Sequence, residues 1–172
     1  MPPPAGRPLK ILHVMRAPVG GLFRHVVDLV RGQVARGHQV GIVADSSTGG
    51  TTADQTFAQL RPELALGLLR RPMSRHIGAS DFGAVRDVAR SLRTAGVDVV
   101  HGHGAKGGAY ARLAGGAAIK VYTPHGGSLH FEWRSPIGFA YLARIRRTRR
   151  EAGEDAAACL RHATAQRCVC NE

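Results

Sequence analysis

Short apolar runs rich in Val, Ile and Leu alternate along the chain with longer stretches in which apolar residues recur at helical spacing. Such runs are typical of buried strands in a parallel sheet, whereas the longer stretches predict amphipathic helices. Because the two alternate, we expect βαβ units with right-handed crossovers. The predicted class is therefore α/β, a Rossmann-like parallel sheet with flanking helices. The predicted strands cover residues 11–15, 40–44, 64–69, 97–100 and 119–123.

The stretches between these strands predict helices over residues 22–34, 52–60, 81–95 and 105–114. In the third of them, Asp81 is the expected N-cap, because a short polar side chain at that position accepts a hydrogen bond from the first helical turn. Phe82, Val88 and Leu92 share the apolar face of the same helix.

Three of the strands run into glycine-rich turns that carry basic or imidazole side chains, at residues 16–21, 101–108 and 124–127. In a parallel α/β sheet these turns lie at the carboxyl ends of the strands, where ligands bind. Glycine lets backbone N–H groups approach a ligand closely, and a helix N-terminus favours an anion. The repetition predicts a site for a phosphorylated or sugar-like ligand. The alternative is that tight βα turns need glycine for their backbone shape alone.

Residues 102–107 formally satisfy the pattern G-x-G-x-x-G, between a strand and a helix. A dinucleotide-binding fingerprint belongs after the first strand, however, and this one follows the fourth. The next strand ends in Thr123, Pro124 and His125 and lacks the expected acidic residue. Lys106 is followed by glycine, so the segment is not a Walker A motif either. The pattern favours a cradle for an anion or for sugar hydroxyls over an NAD site.

Histidines cluster in the same turns, at His101, His103 and His125. A His-x-His pair can ligate zinc, but a metal site needs a third ligand that the sequence does not identify. We therefore expect no metal, and expect these imidazoles to exchange hydrogen bonds at a polar edge of the sheet. His13 lies inside the first strand and is expected to be a hydrogen-bonded core histidine.

Composition limits the class of protein. A chain of 172 residues that is 44% apolar can form one domain with a sizeable core. The net charge of +12 is spread along the sequence, except for an arginine-rich segment at residues 144–150, and only 5% of residues are aromatic. Little aromatic interleaving argues against a specific nucleic-acid partner.

The termini and the cysteines indicate the cellular compartment of the protein. Residues 1–8 are proline-rich and predict a flexible leader, and no stretch approaches the ~20 apolar residues of a membrane span or has the form of a signal peptide. Cys159, Cys168 and Cys170 all fall in the last segment, so the body has no disulfide framework. We expect a cytoplasmic protein.

The order and spacing of four motifs resemble the N-terminal, acceptor-side domain of family 4 glycosyltransferases, which have the GT-B fold. The resemblance covers about residues 9–140, and the domain is placed at residues 9–143. The motifs are ILHV followed by GGLFRHV within residues 11–26, ARGHQV at 35–40, DVVHGH at 98–103 and YTPHG at 122–126.

This resemblance implies a retaining enzyme of polysaccharide biosynthesis that moves a sugar from a UDP- or GDP-sugar to a glycan or lipid-linked acceptor, with no cofactor or metal. It implies that His125 lies beside the transferred sugar, as the catalytic residue. The residues expected at the donor phosphates and sugar are Gly20, Gly21, Arg24 and Gly126. The residues expected on the acceptor side are His101, His103, Gly104 and Lys106.

Two departures from the family pattern qualify this expectation. The second GT-B domain, which holds most of the nucleotide, has no counterpart in the sequence, so we expect an N-terminal half or truncated fragment of a glycosyltransferase. One alternative is a partner subunit that completes its cleft with a separately encoded donor-binding domain. Residues 144–172 form a basic, Ala- and Cys-containing tail whose composition fits a frameshift. The alternative function is a non-catalytic module that binds a glycan or an anionic lipid. The resemblance also implies a role for the basic surface, because many relatives dock on anionic membrane to reach lipid-linked acceptors: peripheral association at the inner face of the plasma membrane.

Overall fold

The computed structural model describes residues 7–75 and 78–125. Within them, five parallel strands form one sheet in the order β3-β2-β1-β4-β5. The predicted Rossmann-like α/β class is confirmed. The strands are β1 (Lys10–Met15), β2 (Gln39–Asp45), β3 (Leu68–Arg71), β4 (Val99–His103) and β5 (Ile119–Thr123).

Helices cover both faces of this sheet, as a parallel sheet with apolar residues on both faces requires. They are α1 (Gly20–Val34), α2 (Gly50–Leu60), α3 (Ala79–Ala95) and α4 (Gly104–Leu113), with a 3-10 turn at Arg61–Glu63. One core lies under α1 and α2 and contains Met15, Phe23, Val30, Ile42 and Phe57. The other lies under α3 and α4 and contains Val14, Val88, Leu92, Val100 and Tyr110.

The strand order places a topological switch point in the middle of the sheet. From β1 the chain proceeds outwards through β2 and β3, then returns to the other side of β1 to form β4 and β5. Ligands of open α/β sheets bind in the crevice outside the carboxyl ends of the strands at such a point. In the β1–β4 register His13 pairs with His101, and Met15 pairs with His103.

The third strand corrects the sequence prediction. We expected residues 64–69, but β3 covers Leu68–Arg71. Gly67 has a φ of +81°, which interrupts the extended backbone in the middle of the apolar run. Leu64 is nonetheless buried, at 6% exposure, because it packs into the core under α2 from the turn before the strand. Leu64 shows that an apolar residue in this run can be buried without belonging to a strand.

The third helix begins earlier than predicted, at Ala79 with Gly78 as its N-cap. Asp81 is not the cap. It lies inside the first turn, where its carboxylate Oδ2 accepts a hydrogen bond from the Gly78 N–H at 2.9 Å. Phe82 leaves the expected apolar face altogether and is 81% exposed, while the neighbouring Ala84 is buried.

The fourth strand also differs from its prediction. It covers Val99–His103 rather than residues 97–100, because pairing with β1 continues to His103. His101 and His103 therefore belong to a strand and not to the turn after it. The other strands and helices lie within two residues of their predicted bounds.

Several predictions concern residues outside the described part. These are the leader over residues 1–6, the turn residue Gly126 and the tail at 144–172, which stay predictions. Residues 7 and 8 of the predicted leader are described, and there the Arg7 guanidinium pairs with the Asp98 carboxylate at 2.6 Å. Among the described helices, none is both long enough and apolar enough to span a membrane.

Candidate active site at the switch point

Two glycine-led helices begin beside each other at the switch point. β1 ends at Met15 and leads to α1, whose first residue is Gly20; β4 ends at His103 and leads directly to α4, whose first residue is Gly104. Both glycines have a left-handed backbone, with φ of +59° and +67°. The local conformation is thus glycine-dependent at both helix starts.

The turn between β1 and α1, which we call the open turn (residues 16–21), leaves room for a ligand. A Cβ atom built on Gly20 or Gly21 would meet no heavy atom within 4 Å. Val19 precedes the helix, is 48% exposed and offers no side-chain cap, and the first turn contains no acidic residue. Arg24 is exposed on the same stretch of α1. The first N–H groups of α1 and its positive dipole end therefore suit an anion.

The turn between β4 and α4, which we call the packed turn (residues 102–108), is the opposite case. A Cβ on Gly102 would lie 2.5 Å from the Gly107 carbonyl oxygen, and one on Gly107 would lie 2.3 Å from the Val14 carbonyl oxygen. A Cβ on Gly108 would lie 2.5 Å from the Tyr122 ring. These glycines let α4 pack against the sheet, so the G-x-G-x-x-G pattern has a packing explanation that needs no dinucleotide.

Five histidines, which we call the imidazole cluster, line the sheet face under α1 from β1 towards β5. They are His13, His25, His101, His103 and His125. His101 and His103 have ring centroids 4.0 Å apart. His25 belongs to α1 and lies over the cluster, 6.1 Å from the His103 ring and 5.6 Å from the His125 ring. His101 and His103 are buried in the sheet rather than at its polar edge, which corrects the sequence expectation for these two residues.

Hydrogen bonds occupy the buried ring nitrogens. His13 joins the Gln33 Oε1 atom at 2.8 Å through Nε2 and the His103 Nε2 atom at 2.9 Å through Nδ1. His101 Nε2 lies 2.7 Å from the Thr123 hydroxyl, and His125 Nε2 lies 3.4 Å from His103 Nδ1. His13 is thus the hydrogen-bonded core histidine that its place in the strand predicted.

Burial keeps these imidazoles neutral. It lowers the pKa of His13 and of His101 to about 4, and the pKa of His103 to about 2. For His13 the hydrogen bond to Gln33 opposes this effect, and for His103 the neighbouring rings add to it. The pKa of His125 is lowered too, first by burial and then by the charge of His25. At neutral pH His13, His101, His103 and His125 therefore exchange hydrogen bonds as neutral rings.

The same three buried rings are the residues that come nearest to a metal site in the described part of the chain. Ligand nitrogens of His13, His101 and His103 lie within 4.8 Å of one another. A metal would have to replace at least one of the hydrogen bonds that the His13 and His103 nitrogens make. The observed contacts instead satisfy these nitrogens among the side chains themselves.

Lys106 lies apart from the imidazole cluster. Its Nζ atom forms an ion pair of 2.7 Å with the Asp81 carboxylate of α3, and its side chain is 13% exposed. The Tyr110 hydroxyl donates to the same carboxylate, and burial together with that carboxylate raises the Tyr110 pKa. The structure therefore brings Lys106 to the α3–α4 packing, whereas Gly20, Gly21, Gly104 and the histidines meet at the switch point.

Sequence reasoning missed three residues of this region. His25 lay within a recognised motif without a role, and Gln33 carried no signal because its partner His13 is far away along the chain. Asp45, at the end of β2, is fully buried. Burial alone would raise its pKa, but hydrogen bonds from Thr48, the Met73 N–H and Ser47 lower it. Asp45 holds together the loops after β2 and β3.

The comparison with protein families decides the identity of this fold. The family model described as Glycosyltransferase Family 4 matches residues 19–171. The chain belongs to glycosyltransferase family 4. The match includes most of residues 144–172, the segment whose composition had set it apart from the family. No curated protein matches the chain significantly.

Solved structures agree with this family 4 assignment at the level of the fold. A glycosyltransferase from Rickettsia africae ESF-5 is 20% identical with a TM-score of 0.51, over 68% of this chain and 30% of that one. MurG from Acinetobacter baumannii is 16% identical with a TM-score of 0.50, over 80% of this chain and 39% of that one. The family 4 chain thus spans well under half of either protein, and both the predicted family and the predicted fold are confirmed.

Proposed function

We propose that this chain forms the acceptor-side half of a glycosyltransferase active site. The reaction would move a sugar from a nucleotide-sugar donor to a glycan or lipid-linked acceptor, with retention of configuration. The observation that carries the proposal is the open turn beside the imidazole cluster, at the switch point of a family 4 chain. We propose that the phosphate and the sugar hydroxyls of the ligand bind there side by side.

The open turn suits the phosphates of the donor. Glycosyl transfer from a nucleotide sugar leaves a nucleoside diphosphate, so negative charge develops on the leaving group. Backbone N–H groups of Gly20 and Gly21, the dipole of α1 and the exposed Arg24 would stabilise that charge. Because these groups supply positive potential, we propose that transfer needs no bound metal.

The imidazole cluster suits the sugar. Neutral imidazoles both donate and accept hydrogen bonds, as hydroxyl-rich ligands require. His101 and His103 are buried, so they would support the other rings without touching the sugar. His125 is half-buried and His25 is exposed. We therefore assign contact with the sugar to His125 and His25, and a supporting role to His101 and His103.

Calorimetric titration of the chain with UDP, GDP and their sugars tests the proposal. Gly21→Val is the informative variant, since a Cβ there meets no heavy atom within 4 Å and the side chain would enter the space that we assign to the phosphate. Gly78→Val is the matched control, because Gly78 is equally open and lies at the start of a different helix. We expect a nucleotide sugar to bind, and expect Gly21→Val alone to weaken it by about tenfold or more, roughly 1.4 kcal/mol.

Two outcomes would contradict the proposal. One is that no nucleotide or nucleotide sugar binds while free glycans do, which would favour a non-catalytic glycan-binding module. The other is that both valine variants weaken the nucleotide equally, which would place the ligand away from the open turn.

A further inference from the structure

The segment that joins β2 to α2 lies against the open turn. We call residues 45–49 the β2–α2 loop; it follows β2, which pairs with β1 in the sheet. A Cβ atom built on Gly49 would lie 2.8 Å from the Pro18 carbonyl oxygen and 3.2 Å from Pro18 Cγ. The Thr48 hydroxyl oxygen lies 3.4 Å from the Arg16 carbonyl oxygen. The β2–α2 loop therefore contacts the open turn through two successive residues.

The open turn bends at Pro18, which is buried. The Val19 N–H donates to the Ala17 carbonyl oxygen at 2.8 Å, which closes a three-residue turn with proline at its centre. The Val19 carbonyl oxygen accepts the Phe23 N–H at 3.4 Å, in the first turn of α1. A displacement of Pro18 is therefore passed on to Gly20, the first residue of α1.

The β2–α2 loop is itself held firmly by Asp45, which is 0% exposed. The Asp45 carboxylate accepts hydrogen bonds from the N–H groups of Ser47 at 3.1 Å and of Met73 at 2.7 Å. It also accepts from the Thr48 hydroxyl at 2.6 Å, and the Arg70 guanidinium donates to the Asp45 carbonyl oxygen at 2.8 Å. A buried carboxylate with these partners favours a single loop conformation, as the support of a neighbouring site requires.

Two adjacent glycines with a left-handed backbone differ in their surroundings. Gly49 and Gly50 have φ of +94° and +54°. A Cβ on Gly50 would meet no heavy atom within 4 Å, whereas one on Gly49 would meet Pro18 and, at 2.5 Å, the Ala53 Cβ. The missing side chain at Gly49 thus lets Pro18 and α2 lie this close to the loop.

We propose that Asp45, Thr48 and Gly49 are positioning residues that fix the backbone of the open turn. They hold in place the N–H groups of Gly20 and Gly21 and do not touch the ligand themselves. The consequence for nucleotide binding rests on the proposed function, whereas the effect on the open turn does not.

Backbone amide NMR of the chain without ligand tests the inference, with Gly49→Ala and Gly50→Ala as a matched pair. Both variants place alanine at a left-handed φ, but only the first brings an atom against Pro18. We expect Gly49→Ala to shift the amide signals of Gly20 and Gly21, and Gly50→Ala to leave them nearly unchanged. Equal shifts in the two variants, or none in a folded Gly49→Ala variant, would overturn the proposal.

A double variant separates the contact with the open turn from the contact with α2. Gly49→Ala/Ala53→Gly removes the clash within α2 and keeps the one with Pro18. We expect its Gly20 and Gly21 amide signals to differ from those of Ala53→Gly alone. No difference would assign the effect to α2 and contradict the proposal.

Thr48→Val tests the anchoring by Asp45 with a mild change, because valine has nearly the shape of threonine but cannot donate to the carboxylate. We expect the Gly20 and Gly21 amide signals to shift, by less than in the alanine variant. Thr52→Val, which changes an exposed threonine of α2, is the control. Unchanged signals in Thr48→Val would contradict the role of Asp45 and Thr48.

Calorimetric titration with UDP and GDP distinguishes this inference from the proposed function. For the nucleotide that binds, we expect Gly49→Ala to weaken affinity about tenfold and Gly50→Ala to change it little. If neither nucleotide binds the parent chain, the proposed function fails, while the ligand-free amide comparison still decides the inference. Equal affinity of the parent chain and Gly49→Ala would overturn the inference and leave the proposed function standing.

Discussion

The open turn and the packed turn occupy equivalent positions in the fold, but the surroundings of their glycines are opposite. Each follows a central strand, starts a helix with a glycine of positive φ, and lies at the switch point. Val19, which precedes α1, is 48% exposed. His103, which precedes α4, is 1% exposed. Gly21 faces open space, whereas Gly107 lies against the backbone of β1.

The difference shows that a glycine-rich βα turn can serve either a ligand or the packing of its own helix. The packed turn carries the formal G-x-G-x-x-G pattern, and its glycines are needed by the fold. The open turn has only a Gly-Gly pair, and its glycines leave space that the fold does not use. If the proposed function is right, the better-known motif is the poorer guide to where the ligand binds in this chain.

Acidification should produce the largest effect, and it should act through the buried histidines under α1. Unfolded histidine titrates near 6.5, whereas burial lowers the pKa of His13 to about 4 and that of His103 to about 2. Below pH 6.5 the unfolded chain binds protons that the folded chain excludes, so stability is complete above that value and falls with pH. Between pH 7 and pH 5 we expect a loss of about 2 kcal/mol for each buried histidine.

Urea unfolding at a series of pH values measures this loss. His103→Asn should reduce the dependence of stability on pH by the contribution of one histidine. His38→Asn is the control variant, because it changes a partly exposed histidine outside the cluster. A stability that is flat from pH 7 to pH 5 would mean that the cluster is not buried as described.

Gly107→Ala should come next in size. Its Cβ would lie 2.3 Å from the Val14 carbonyl oxygen, and a backbone atom in a central strand cannot move aside cheaply. We expect the free energy of unfolding to fall by about 3 kcal/mol. Gly21→Ala is the matched variant in the open turn and should raise stability slightly, by about 0.5 kcal/mol, because alanine favours a helix. Equal losses of unfolding free energy in the two variants would contradict the structural difference between the turns.

Gly108→Ala should have the smallest effect of the packed glycines. The atoms that its Cβ would meet, at 2.5 Å, belong to the Tyr122 side chain and not to the backbone. Tyr122 is only half-buried and stacks with the Arg112 guanidinium, so the ring can shift. We expect a loss of about 1 kcal/mol, measured by urea unfolding. A loss as large as that of Gly107→Ala would show that the ring is held as firmly as the strand.

The sequence predicted elements well wherever local pattern and tertiary position agree. Strand β5 has its predicted bounds, and β1 and β2 differ from theirs by one residue at each changed end. Prediction failed where tertiary contacts override the local pattern. Leu64 is buried in a turn before β3, and β4 extends through two histidines and a glycine because β1 pairs with them.

For the candidate site, the sequence located the region but not the roles within it. It identified the glycine-rich turns and most of the histidines because these types stand at strand ends. It could not separate Gly21 from Gly107, since that depends on how closely α4 approaches β1. Nor could it connect Gln33 with His13 or His13 with His103, because these contacts join residues 20 and 90 positions apart.

The central claim, that the open turn and not the packed turn receives the ligand, is tested most directly by backbone amide NMR during a titration with UDP- and GDP-sugars. The account predicts that the sugar that binds will shift the amide signals of Gly20 and Gly21 and the ring signals of His125, while those of Gly107 and Gly108 stay nearly unchanged. Large shifts at Gly107 and Gly108 with none at Gly20 and Gly21 would contradict it.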